Sequence, residues 1–208
     1  TSNQPEGSKV DVVITDEDGN KVFEGETTVD ENGNWSVNIE ENGSWSGDKE
    51  ELAEGDYTVE AKITDKAGNK STVEGNITVD TTPPQLTIED KTTNNTTPTV
   101  EGTSNQPEGS KVDVVITDED GNKVFEGEAT VDENGSWSID IPDELVEGNY
   151  TVEAEIVDEA GNTTVTEGSL EIDKTDPKLT IEDKTTNNTT PTVEGTSNQP
   201  EGSKVDVV

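Results

Sequence analysis

The chain has 208 residues and a formal net charge of −36, from 49 acidic against 13 basic side chains, with no His, Cys or Met. Such a field repels nucleic acid and anionic membrane and draws in cations. Without Cys or His, thiol chemistry, iron–sulfur clusters and zinc sites built on those ligands are excluded.

The stretch TSNQPEGSKVDVV starts at Thr1, Thr103 and Thr196, spacings of 102 and 93 residues, and the 30-residue stretch 86–115 recurs letter for letter at 179–208. A period of about a hundred residues is one small domain rather than one turn of a short solenoid. No run approaches the length of a membrane span, so no membrane insertion is expected, and no leader segment is recognisable. A chain that starts inside a repeat reads as a window on a longer array. Leu, Ile, Val and Phe make up just under a fifth of the residues, a composition near that of disordered chains. Their order along the chain argues for folding instead, because they alternate with polar residues.

In the repeat that the sequence completes, Leu86 and Ile88 alternate with Thr87 and Glu89, and Val112, Val114 and Ile116 with Asp113, Val115 and Thr117. Trp137, Ile139 and Ile141, then Tyr150, Val152, Ala154 and Ile156, then Leu170 and Ile172 continue the pattern. Period two with Val- and Thr-rich segments predicts strands buried on one face, near 86–89, 97–102, 110–118, 122–131, 136–141, 149–158 and 162–173. Gly behind Asp or Asn at 118–122 and 132–136 supplies hairpin turns, and DEAGN at 158–162 is a third. The fold class is therefore all-β: tandem immunoglobulin-like antiparallel β-sandwiches of about seven strands each.

Pro83-Pro84 and Asp176-Pro177 break strands and read as linkers. Residues 1–84 are then a domain without its first strands, 85–177 a complete domain, and 178–208 the first strands of a third. The longer first spacing places nine extra residues near 40–49, where ENGNWSVNIE is followed by ENGSWSGDKE. An added hairpin or extended loop is expected there. Trp35 and Trp137 hold the same repeat position and should anchor cores; Trp45, in the insert, is the aromatic expected to be exposed. The TTNNTT run at 92–97 reads as a solvated loop.

Asp16 and Asp18, with their copies Asp118 and Asp120, place carboxylates at alternate positions ahead of Gly, a pattern that suits Ca²⁺ and equally suits a plain solvated turn. Asp80, Asp173 and Asp176 lie in the linkers, and Asp90 and Asp183 just beyond them. Crowded carboxylates at domain joints would repel one another unless a divalent ion neutralised them.

The turns DKAGN at 65–69 and DEAGN at 158–162, together with NGxWS, EGxYTV and the Asp-to-Pro linker, resemble the bacterial Ig-like repeats of giant surface adhesins. These include the extender regions of repeats-in-toxin and biofilm adhesins. The resemblance implies extracellular, cell-surface stalks stiffened by Ca²⁺ at interdomain junctions, with Asp65, Asp80, Asp158, Asp173 and Asp176 as ligand positions. Pro83 stands in the first linker where the second has Asp176. The implied partners are neighbouring repeats of the same chain. Two other readings stand beside it: a self-assembling extracellular filament, sheath or surface layer, which makes other copies of the chain a partner, and a glycan- or ice-binding module. Catalysis is not expected: only carboxylate pairs remain for acid–base work, and they repeat from domain to domain as structural residues do.

Overall fold

The computed structural model describes residues 3–47, 50–65 and 67–207; positions 48 and 49 of the expected insert, and Lys66 of the DKAGN turn, lie outside them. All regular structure among the described residues is β. The strands are β1 (Lys9–Thr15), β2 (Lys21–Thr28), β3 (Gly43–Trp45), β4 (Gly55–Thr64), β5 (Lys70–Val79), β6 (Leu86–Ile88), β7 (Lys91–Thr93), β8 (Thr99–Ser104), β9 (Lys111–Asp118), β10 (Lys123–Thr130), β11 (Ser136–Asp140), β12 (Gly148–Val157) and β13 (Thr163–Ile172). They group into two compact units, Thr1–Pro84 with Val157–Thr164, and Gln85–Ile156 with Val165–Val208.

The second unit is a two-layer sandwich. One sheet runs β10-β9-β12-β13-β7 and the other β11-β8-β6. Alternation works as period two requires: Val112, Val114 and Ile116 of β9 are fully buried, as are Val152, Ala154 and Ile156 of β12. They meet Leu86, Val100 and Trp137 from the opposite sheet in one core cluster. Seven strands were legible in the sequence; the eighth, β7, pairs parallel with β13, Lys91 against Leu170 and Thr93 against Ile172. It begins the Thr-Asn run read as a loop. Nothing apolar marks it, and it forms only because the edge of β13 needs hydrogen-bond partners.

The Tyr150 hydroxyl donates to the Val146 carbonyl at 2.9 Å, and Tyr57 repeats this with Ala53 at 2.9 Å. This is the tyrosine corner of immunoglobulin-like sandwiches, built here by the EGxYTV motif.

The first unit has one sheet among the described residues, β3-β2-β1-β4-β5. Its β1, β2, β4 and β5 repeat β9, β10, β12 and β13, but no strands equivalent to β6–β8 are present among those residues. The consequence shows in the core, which splits into two small clusters. Ile77 of β5 is 40% exposed, where Leu170, its counterpart, is 1% exposed. Residues 34–38, the counterpart of β11, form no strand because β11 pairs with β8 and the first unit has no such partner. Instead the duplicated ENGSW pairs with β2, Phe23 opposite Trp45. Trp45 is therefore not the exposed aromatic expected from sequence. Its ring meets Phe23 edge-to-face at 5.4 Å and 67°, and Phe23 is fully buried.

Residues 178–207 contribute to none of the buried core clusters. The register of the β6–β8 pair is retained, with Thr180 N–H donating to the Thr196 carbonyl and Glu182 N–H to Glu194, both at 2.9 Å. Yet Leu179, Ile181, Val193 and Val205 are 52–72% exposed, whereas Leu86, Val100 and Val112, in identical sequence, are at most 8% exposed. Pairing follows local sequence; burial requires the rest of the sandwich.

Candidate functional site

The acidic turns share one construction. At 118–122 the Gly121 N–H donates to the Asp118 carbonyl at 2.9 Å, and Gly121 takes φ 79°, where a side chain would be strained. Asp118 Oδ1 then accepts the Asn122 N–H at 2.8 Å and the Asp120 N–H at 3.0 Å, while Oδ2 accepts the Asn122 amide at 3.0 Å. Asp16, Asp65 and Asp158 do the same with Asn20, Asn69 and Asn162. The leading Asp thus acts as a local brace that fills turn donors. Asp18 and Asp120 are exposed.

These bonds favour the ionised form. Donation from the Asn122, Asn69 and Asn162 amides holds the Asp118, Asp65 and Asp158 carboxyls below the ordinary carboxylate range, and the Ser136 N–H does so for Asp132. Folded values lie below unfolded ones, so the turns contribute stability above the unfolded value of about 3.9 and lose it as pH falls through the folded values. The melting temperature should accordingly drop below about pH 4. Asp118→Ala should lower it at neutral pH and make that acid limb shallower. A pH series of thermal melts checks this.

The linkers are braced in the same way. Asp80 Oδ1 accepts the Thr82 N–H at 2.9 Å, and Asp173 Oδ1 the Thr175 N–H at 2.8 Å. Glu54 takes hydroxyl bonds from Thr82 at 2.7 Å and Thr81 at 2.9 Å, which hold its carboxyl below the usual range; Glu147 takes one from Thr175 at 2.6 Å. The sequence reading missed Glu54 and Glu147. Their signal was available: both precede Gly in the EGxYTV motif, and both linkers offer Thr two residues after Asp. Asn162 also donates its amide to the Asp80 carbonyl at 3.0 Å, and Thr164 its hydroxyl to Pro84 at 2.5 Å. Asp90 Oδ1 accepts the Ser169 N–H at 2.7 Å, tying the start of β7 to β13. Asp176 and Asp183 are exposed.

Among the described residues no three acidic side chains form a group that could hold a metal ion. Ca²⁺ takes six to eight oxygens; here Asp16, Asp65, Asp118 and Asp158 in the turns and Asp80 and Asp173 in the linkers accept N–H donors, while Asp18, Asp120 and Asp176 are exposed. Within the linkers, Asp80 and Asp173 are instead held by the N–H groups of Thr82 and Thr175.

A two-layer sandwich with a tyrosine corner, whose strands β9, β10, β12 and β13 are repeated by β1, β2, β4 and β5 of the first unit, defines a class of modular Ig-like repeat. The chain belongs to the bacterial Ig-like domain family, whose model matches residues 1–81 and 87–174. Among solved structures it is similar to a tetra-tandem repeat in the extending region of a large adhesion protein, at 31% identity and TM-score 0.45. That match covers 95% of this chain and 50% of the other, so the chain spans about half the length of that relative. A 1.5-MDa bacterial ice-binding adhesin matches at 18% identity and TM-score 0.36, covering 85% and 57%. CopC from Methylosinus trichosporium OB3b matches at 21% and 0.34, covering 42% and 92%. The comparison with curated proteins gave no match.

Proposed function

We infer that the chain is a run of spacer repeats from the stalk of a large extracellular surface adhesin, with 85–177 as one complete repeat. The observation that carries this reading is the verbatim recurrence of a 30-residue block, 86–115 and 179–208, in a chain whose residues 1–81 and 87–174 match the bacterial Ig-like family. Selection for length favours copies of one unit, whereas a single binding or active site has no need of them. The braced linkers support the same role, since a spacer transmits reach only if its joints resist bending.

Calcium at the junctions is the second half of the reading. It rests on the net charge of −36 and on the carboxylates of Asp65, Asp80, Asp158, Asp173 and Asp176. Among the described residues no three acidic side chains are grouped to hold a metal ion, so an ion would have to draw carboxylates together. The test is a calcium titration followed by thermal melting, with magnesium and sodium at matched ionic strength as controls. The reading expects calcium to raise the melting temperature beyond either control. Equal stability in calcium and in EDTA would remove calcium from the account and leave the spacer role standing on the linkers alone.

A further inference from the structure

Residues 86–93 are held by both sheets of the second unit. β6 pairs with β8, Leu86 opposite Ser104 and Ile88 opposite Gly102, and the Glu89 N–H carries that ladder on to the Glu101 carbonyl at 2.9 Å. The chain then crosses to the other sheet, where Lys91–Thr93 runs parallel to Leu170–Ile172 at the end of β13. Side chains fasten the crossing. Asp90 Oδ1 accepts the Ser169 N–H at 2.7 Å, and the Thr92 hydroxyl donates to Glu171 at 3.0 Å. Half-buried Lys91 reaches back to β8, donating to the Thr99 carbonyl at 2.8 Å and to Glu101 Oε1 at 3.0 Å. Ile88 packs so closely over Gly168 that an added Cβ there would lie 2.5 Å from Ile88 Cγ2.

The polarity of the β7–β13 pair decides what tension does to it. β7 lies near the amino end of the unit, and β13 runs directly into the linker that begins at Asp173. Because the two strands are parallel, a pull on the chain before Leu86 and after Ile172 drags them in opposite directions along their common axis. Their hydrogen bonds are then loaded side by side and must fail together. A pull across the strands would instead break them one at a time.

We propose that the β7–β13 pair, with its side-chain fasteners, is a tension clamp that keeps the unit closed when the chain is pulled from both ends. It gives a role to Asp90, Lys91 and Thr92, which add nothing apolar to the core. The direction of pull rests on the spacer reading, in which load enters at the linkers. That reading concerns reach and can hold for a unit that yields easily, so the two fail separately.

The ladder itself supplies the test. The Asp173 N–H donates to the Thr93 carbonyl at 2.9 Å, so the alternation of a parallel ladder turns the main-chain groups of Lys91 and Thr93 toward β13 and those of Thr92 away, to the edge of the sheet. Thr93→Pro therefore removes a rung, whereas Thr92→Pro sets the same ring one residue away and loses only the hydroxyl bond to Glu171. Forced unfolding follows the unfolding rate rather than the melting temperature. The full 208-residue chain, which has no Cys, is pulled in an optical trap through Cys handles added at its two ends. The second unit is recognised by the roughly 300 Å of chain that residues 86–172 release. The proposal expects that release in one step, with the rupture force at fixed loading rate about halved by Thr93→Pro and lowered far less by Thr92→Pro. Lys91→Met and Asp90→Ala keep the main-chain ladder and should each lower the force by a smaller amount, so the test does not depend on the proline variant folding. Equal rupture forces for the parent and all four variants would overturn the proposal. So would release of residues 86–93 in a separate low-force step ahead of the rest.

Discussion

Replacing Trp137 with Ala is expected to destabilise the second unit by about 3–5 kcal/mol, the range for truncating a large buried aromatic. Replacing Trp35, which holds the same place in the repeat, should cost the first unit only about 1 kcal/mol, near the average for a point substitution. The difference is environmental. Trp137 is 2% exposed and lies in a core walled by two sheets; Trp35 rests against a single sheet and is only partly covered. The Trp137 Nε1 is buried without a hydrogen-bond partner, and an unmet donor of this kind costs about 1–3 kcal/mol. Trp137→Phe should therefore lose much less than Trp137→Ala. Hydrogen exchange read separately on peptides from 86–172 and 9–79 resolves the two units, and equal losses at the two tryptophans would contradict the assignment of β6–β8 as the closing layer.

The second large effect is expected from one methyl group. Gly102 sits where β8 crosses β6 and β11, and a Cβ there would overlap the Thr87 carbonyl oxygen and lie 2.7 Å from Trp137 Cζ2. Main chain on one side and a filled core on the other leave no route for relief, so Gly102→Ala should cost about 3 kcal/mol. Gly195 is the same residue in the second copy of the block, and its Cβ would meet Thr180 in the same way. There the pair is isolated and solvated, so Gly195→Ala should leave the melting of the second unit unchanged. Melting curves of the two variants make the comparison, and a large loss from Gly195→Ala would show that 179–195 already carries stability within the chain.

The repeated block explains what was legible in the sequence and what was not. Alternation located β9, β12 and β13 closely, because Val112, Val114, Val152 and Ile156 are apolar for the same reason that they are buried. Gly behind Asp or Asn located the turns, since Gly19 and Gly121 adopt positive φ. The sequence was silent on β7, whose Lys91, Thr92 and Thr93 carry no apolar pattern and are recruited by a neighbouring edge. It also misplaced Trp45: the reading treated the insert as an outward loop, but a duplicated strand brings its aromatic with it, and Phe23 offered a place to pack. For the acidic residues, composition showed that carboxylates abound but not what they bond. That Asp118 accepts the Asn122 N–H and Asp173 the Thr175 N–H is legible only in the geometry.

A spacer role requires reach that grows with every repeat added. Small-angle scattering of arrays carrying two, four and six repeats tests that directly. The maximum dimension should increase by a constant step for each repeat added. An increase that flattens toward the square root of repeat number, as a freely jointed string gives, would contradict it.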